Sequence, residues 1–238
     1  LKDLDKPICS DEATGITLSD EHGLANRYNI VSITVPAELI PAAGNATTGA
    51  DQLATAIATD KFTNKTAGAL TVTYAVIPGI NGGCIGDQED VVVTINPEPD
   101  LKDLDKPVCS TVPIGVILSD VHNLADRFQI VTITPDAGLT GDPGNASPGP
   151  LQASDAIADD KWTNITAGAL KVIYAVIPRI NGGCIGDQEN IEVTINPEPD
   201  LSDLNTTVCS GIALGVTLSD VAGLADQFDI VSIIAQTG

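Results

Sequence analysis

The sequence is written more than twice: residues 1–100 recur as 101–200, and 201–238 open a third copy. LKDLDKPICS at the start returns as LKDLDKPVCS from Leu101 and as LSDLNTTVCS from Leu201, and about 64 of the 100 paired positions agree between the first two copies. A fixed period is the mark of a tandem array. This period exceeds the roughly 20 to 50 residues of stacking solenoid repeats, and it is long enough for each copy to close a core of its own. The expected organisation is therefore two bead-like domains, 1–100 and 101–200. They are followed by 201–238 as the truncated start of a third, which holds opening strands and cannot close the same core alone. Enzymes seldom stamp out an active site in series, whereas stalks, filaments and multivalent binders need repetition.

Methionine is absent, even at position 1, which points to a processed or internal segment of a larger polypeptide. There is no charged-then-apolar leader and no apolar run of about 18 residues, so nothing here is expected to insert into a membrane. The net charge of -21 is spread over all three copies and is thus a property of the unit. Such a surface repels nucleic acid and anionic membrane. Most of these carboxylates read as a solvated face that keeps a long secreted fibre soluble.

The five cysteines fall at 9 and 84, at 109 and 184 with the same spacing, and at 209. One intradomain disulfide per copy is expected, Cys9 with Cys84 and Cys109 with Cys184, in an oxidising, extracytoplasmic setting. The partner of Cys209 falls beyond the last residue. The alternative pairs Cys84 with Cys109 across the junction and leaves Cys9 single.

Apolar residues alternate through Leu70, Val72, Tyr74 and Val76, and again through Val91, Val93 and Ile95. Between copies Thr71 becomes Lys171 and Val92 becomes Glu192, so those parities face water and the apolar set faces the core. Pro78 closes the first strand and Asn81-Gly82-Gly83 turns the chain into a hairpin whose loop carries Cys84. Earlier strands are expected at 7–10, 14–18, 28–35 and 53–58, with a bulge in 28–35 where both parities are apolar. Gln52 to Ala58 is the one stretch that admits a turn or two of helix. About seven short strands in 100 residues indicate an all-β class, a β-sandwich of immunoglobulin-like architecture. In that topology the first strand begins at the pole that holds the last hairpin loop, which would bring Cys9 to Cys84.

Chemistry-bearing residues are few. Ser19, Asp20 and His22 lie within one turn, whereas a catalytic triad draws its members from separate elements. His122 becomes Ala222 in the third copy, and Leu-Ser-Asp at 18–20, 118–120 and 218–220 suits a side-chain-capped turn. Gly82-Gly83-Cys84-Ile85-Gly86 lacks the lysine and helix of a phosphate cradle and reads as a pinned hairpin loop. Two histidines and no close cysteine pair do not make a zinc site. The junction from Pro97 to Asp105 has two readings. Its prolines make a stiff, solvated linker. Alternatively, Glu98, Asp100, Asp103 and Asp105 bind calcium together with Asp187 and Glu189 of the next unit's hairpin loop, since calcium accepts six to eight oxygens in irregular geometry. Five Asn-x-Ser/Thr sequons, at Asn45, Asn64, Asn145, Asn164 and Asn205, are glycosylation candidates on surface loops or else turn chemistry. Phe62 and Trp162 read as core anchors, with carbohydrate stacking as the second reading.

Several elements together resemble the PKD-like repeat of very large surface proteins in Bacteroidetes-type bacteria. They are the start Val208-Cys209-Ser210-Gly211, the strand Val72 to Pro78, the hairpin Gly83-Cys84-Ile85-Gly86 and the exit Val93 to Pro99. Asp11 stands where the third copy has Gly211, so the first turn is expected to differ between copies. The resemblance covers the whole chain, and its motifs are structural. It implies an immunoglobulin-like sandwich exported to the cell surface by the type IX route, strung into adhesins or gliding filaments, with no catalytic residues to carry over. The expected function is a non-enzymatic stalk or fibre whose partners are other repeats of the same parent chain, neighbouring filament subunits or surface glycans. The second reading is a multivalent glycan- or protein-binding module, calcium-dependent if the junction binds the ion.

Overall fold

The computed structural model describes residues 1–234, and no helix occurs among them. Each of the first two copies forms seven strands. In copy one these are β1 (Lys6–Cys9), β2 (Arg27–Thr34), β3 (Leu39–Pro41), β4 (Gly49–Gln52), β5 (Phe62–Asn64), β6 (Leu70–Gly79) and β7 (Glu89–Asn96). In copy two they are β8 (Lys106–Cys109), β9 (Arg127–Pro135), β10 (Leu139–Gly141), β11 (Gly149–Gln152), β12 (Trp162–Asn164), β13 (Leu170–Arg179) and β14 (Glu189–Asn196). A five-stranded sheet in the order β1-β7-β6-β2-β4 is accompanied by a ribbon of β3 with β5, and copy two repeats both. The fold is all-β, as tandem immunoglobulin-like sandwiches require.

The alternation in β6 and β7 places Val72, Tyr74, Val76, Val91, Val93 and Ile95 in the core, with Leu39 and Phe62 packed on them from the ribbon. Copy two builds a separate core from the equivalent positions. On the wet face, Lys171 and Glu192 form an ion pair at 2.6 Å. The doubly apolar stretch of β2 does contain a bulge: the register against β6 shifts between Ile30 and Ser32, turning Val31 outward.

Two expected strands are absent. Residues 53–60 form consecutive turns, with Ala56 N–H donating to Leu53 O, Ala58 to Thr55 O and Asp60 to Ile57 O. Residues 14–18 are bonded to that turn segment, Thr14 N–H to Asp60 O and Leu18 N–H to Ala54 O. Gly15 at φ 62 breaks the extended conformation between them. Asp60, buried under the sandwich, accepts from the Tyr74 hydroxyl at 2.7 Å and from Ala46 N–H at 2.8 Å. In copy two the Trp162 indole adds a bond to the Tyr174 hydroxyl at 2.9 Å, so Phe62 and Trp162 are both core anchors.

The turn after β1 does not differ between copies as expected: Asp11, Thr111 and Gly211 all take left-handed φ, at 60, 64 and 83°. In the third copy, among residues 201–234, no strand forms. Without counterparts of β12–β14 to pack on, Leu214 is 67% exposed, where the equivalent Ile114 is 0%.

Candidate functional site: the junction between repeats

The register of the first strand decides what the cysteines can reach. β1 runs parallel to β7, with Lys6 opposite Val93 and Cys9 opposite Asn96. Cys9 therefore lies at the pole where β7 ends, while Cys84 lies in the hairpin loop that precedes β7. The eight residues of β7 put these poles about 24 Å apart at strand rise, far beyond the roughly 7 Å that a disulfide spans. The expected pairs Cys9–Cys84 and Cys109–Cys184 are thus corrected. Cys9 is bonded to Cys184, with Cα atoms 5.5 Å apart and 175 residues between them in sequence. Cys84, Cys109 and Cys209 are free and exposed, so the alternative pairing of Cys84 with Cys109 is not formed either.

This bond ties the C-terminal pole of copy one to the β13–β14 hairpin loop at the N-terminal pole of copy two, and the residues around it converge on the same seam. Asp100 O accepts from Val121 N–H at 2.7 Å and Lys102 N–H donates to Ser119 O at 2.9 Å, so the second half of the linker is laid against copy two. Its first half is held by copy one, since Asn96 ends β7 and accepts from Ser10 N–H at 2.9 Å. The hairpin loop of copy two rests on the linker between them: a Cβ on Gly186 would collide with the Pro99 carbonyl. His122 Nε2 lies 2.9 Å from Lys65 O of copy one. A carbonyl oxygen only accepts, so Nε2 carries the proton.

The two copies of Asn-Pro-Glu-Pro-Asp give an internal comparison. Pro97 and Pro99 are buried at the junction where the hairpin loop meets Pro99, whereas Pro197 is half-buried and Pro199 exposed. The hairpins differ in the same sense, with Cys184 buried and Cys84 exposed.

The seam is acidic. Burial beneath the loop, then the charges of Asp11 and Asp187, push the Glu98 carboxyl up to about 7, against the opposing charge of Lys65. Glu189 is also raised, first by burial and then by a carboxyl–carboxyl contact with Asp100, while the Leu101 N–H partly relieves it. In copy one the counterpart of that amide is the amino group of Leu1, 3.2 Å from Glu89.

The calcium reading gathered six carboxylates, and the structure separates them. Asp105 is turned onto the sheet edge, accepting from Glu192 N–H at 2.6 Å, and Asp103 accepts from Asp105 N–H at 3.2 Å. Glu98, Asp100, Asp187 and Glu189 do face the seam, but among the described residues no group of three or more His, Cys, Asp or Glu side chains is placed to hold a metal ion. Asp103 and Asp105 thus leave the expected ligand set, and the other four form a seam of close carboxylates in which Glu98 and Glu189 hold their protons more tightly than usual.

Two sequons are likewise corrected. Asn64 is fully buried; its amide donates to Gly68 O at 2.9 Å and Ile95 O at 2.8 Å, and its oxygen accepts from Thr66. Asn164 repeats the arrangement. No hydrogen of these amides is free for a glycan. Asn45 and Asn145 pair with the backbone of Lys61 and Lys161, and Asn205 is exposed. The Leu-Ser-Asp segments are capped turns as expected: Asp20 accepts from the N–H groups of His22, Leu24 and Ala25, and this holds its carboxyl below the usual range. Sequence reasoning missed the Gly186–Pro99 and His122–Lys65 contacts. The signal for the disulfide was present, because two parallel strands start at the same pole and Cys9 ends its strand.

A solved structure of human CDH23 EC21-23 is similar at 16% identity, covering 92% of this chain and 78% of that one, with a TM-score of 0.33. Mouse clustered PcdhgC3 EC1-3 aligns at 10% identity over 91% of this chain and 76% of that one, TM-score 0.30. Protocadherin Gamma B2 extracellular cadherin domains 3-6 align at 9% identity over 82% of this chain, TM-score 0.29, and the chain spans 50% of that structure. No curated protein matches the sequence. The model of the PKD-like domain matches residues 6–99 and again 121–199. With most of its length in two matched copies, the chain belongs to the PKD-like domain family.

Proposed function

We propose that the chain is a non-catalytic length of a repeat array that serves as stalk or filament of a large secreted adhesin on a bacterial surface, exported by the type IX route and acting in adhesion or gliding. Membership of the PKD-like domain family supports a structural or adhesion module at the coarser level. The observation that supports a stalk within this reading is the junction. Domains on a loose string transmit tension but keep no direction, whereas here the Cys9–Cys184 bond and the seating of Gly186 on Pro99 set the direction of one unit from the other. A stalk needs that property to hold a distal site away from the surface. Its partners in this reading are further repeats of the same parent chain, neighbouring filament subunits and glycans met at the far end, and its setting is extracellular, where disulfides persist.

Small-angle X-ray scattering of the chain at pH 8, oxidised and then reduced with a phosphine, tests the reading. The oxidised chain should give one narrow distribution of end-to-end distances, and reduction should broaden it toward bent forms. An unchanged profile, with mass spectrometry showing the bond broken, would remove the staple from the mechanics and the stalk reading with it. Glycan binding that rises steeply with copy number would favour the multivalent binding module instead.

A further inference from the structure

The bond between copies has a phase, and the chain carries the same two positions again with their partners missing. Cys9 ends the first strand of one unit, and Cys184 sits in the last hairpin of the next. Cys109 ends the first strand of copy two, and Cys84 sits in the last hairpin of copy one; both are free and exposed. Pairing inside a unit is closed to them by the β1–β7 and β8–β14 registers, which put the two phases at opposite poles.

The second junction is already half assembled in the geometry of the first. Leu201 bridges Asp220 as Leu101 bridges Asp120. Ser202 N–H donates to Ser219 O at 2.9 Å and Val221 N–H to Asp200 O at 2.7 Å, the same bonds that lay the first linker on copy two. What the second junction lacks is the hairpin loop that would cover Pro199 and meet Cys109. At the opposite end of copy one, Leu24 and Ile85 stand exposed beside Cys84, on the face equivalent to the one that copy two presents to copy one.

We propose that the staple propagates: in a run of complete units, the thiol ending the first strand of each unit is joined to the hairpin thiol of the next. The array is then a covalent ladder with one rung at every junction and none inside a unit. Cys109 is committed to the hairpin cysteine of a completed third unit, Cys84 to the first-strand cysteine of a unit before copy one, and Cys209 to a unit beyond the third. Each rung converts two thiols into one disulfide. The two electrons and two protons pass to a disulfide oxidant, either glutathione disulfide, which leaves as two glutathione thiols, or a dithiol–disulfide exchange protein. Such a ladder confines extension under load to the loops between rungs. The inference rests on the junction described under the proposed function.

The test is non-reducing peptide mapping of two proteins refolded in glutathione redox buffer. One is the full chain; the other is the full chain extended by a copy of residues 139–200, which completes the third unit. In the full chain Cys9 should be found joined to Cys184, with Cys84, Cys109 and Cys209 alkylated. In the extended chain alkylation of Cys109 should be lost, and its peptide should be recovered joined to the hairpin peptide of the appended copy. Cys109→Ser in the extended chain should leave that hairpin thiol free without rerouting it to Cys209. If Cys9–Cys184 forms in both proteins while Cys109 stays alkylated or joins Cys209, the ladder is overturned and the single stapled junction stands. If Cys9–Cys184 is absent from both, the stapled junction and the ladder fall together.

Discussion

At the scale of single residues, the repeated sequence acts as its own control, because the same backbone site is filled three ways. The turn after the first strand takes left-handed φ at Asp11, Thr111 and Gly211. A β-branched residue is the worst suited of the three to that region, at a cost of about 1–2 kcal/mol, while glycine there loses roughly 0.5–1 kcal/mol of chain entropy. Asp11 has a local compensation, since its carboxylate accepts from the Thr63 hydroxyl at 2.6 Å. Thr111 offers only an exposed bond to Glu198 at 3.1 Å. Thr111→Gly should therefore stabilise copy two by about 0.5–1 kcal/mol, seen as a higher melting temperature by calorimetry; a lower one would mean that the Glu198 contact outweighs the strain. The sequons show the limit of motif reading at this scale. Asn-x-Thr at Asn64 signals glycosylation by pattern, yet the threonine's role is to hold the asparagine's oxygen inside the fold.

Among the elements, long strands with clean alternation were legible. β6 and β7 face as the alternation and the paired substitutions Thr71/Lys171 and Val92/Glu192 require, and the bulge in β2 followed from two-sided apolarity. β3, β4 and β5 were not legible, since three or four residues are too few to carry a period. The segment at 14–18 looks like a strand by composition but is bent at Gly15 and bonded to a turn. The junction was legible as an acidic, proline-stiffened stretch. Its contacts were not, because they depend on how the end of one unit meets the start of the next, which no pattern within a single unit carries. Gly86 and Gly186 occupy the same place in identical hairpins, yet only Gly186 faces a neighbour's carbonyl; a Cβ on Gly86 would meet the Pro78 ring at 3.1 Å. Gly186→Ala should lift the loop from Pro99 and lower the yield of the Cys9–Cys184 bond in redox buffer. Gly86→Ala should leave that yield unchanged and shift copy one's stability by less than about 1 kcal/mol. Equal yields in the two variants would show that the loop does not seat on the linker.

For the whole molecule, the relation between units is a balance of a covalent tie and apolar seating against carboxylates brought together. Glu98 is central because it lies between copies, raised from its ordinary 4.5 to about 7 by burial and by Asp11, Asp187 and Asp100, with Lys65 alone opposing. When the junction opens, the carboxyl returns to water and to its ordinary value, so the closed form holds its proton more tightly than the open one. Closure is then fully favoured below about 4.5 and loses ground as pH rises to about 7. Glu189, also raised through its contact with Asp100, adds to the same trend. The disulfide masks this balance in the oxidised chain, so it should be read after reduction, when only non-covalent contacts hold the seam. Scattering of the reduced chain should show bent, broadly distributed forms at pH 8 that narrow toward the oxidised profile as pH falls to about 5. Glu98→Gln, which keeps the shape and removes the charge, should hold the narrow profile at pH 8 and flatten most of the dependence. If reduced wild type and Glu98→Gln responded alike to pH, the seam's acidity would lie elsewhere than Glu98, and the carboxylates would be spectators to a junction set by the disulfide and by Gly186 on Pro99.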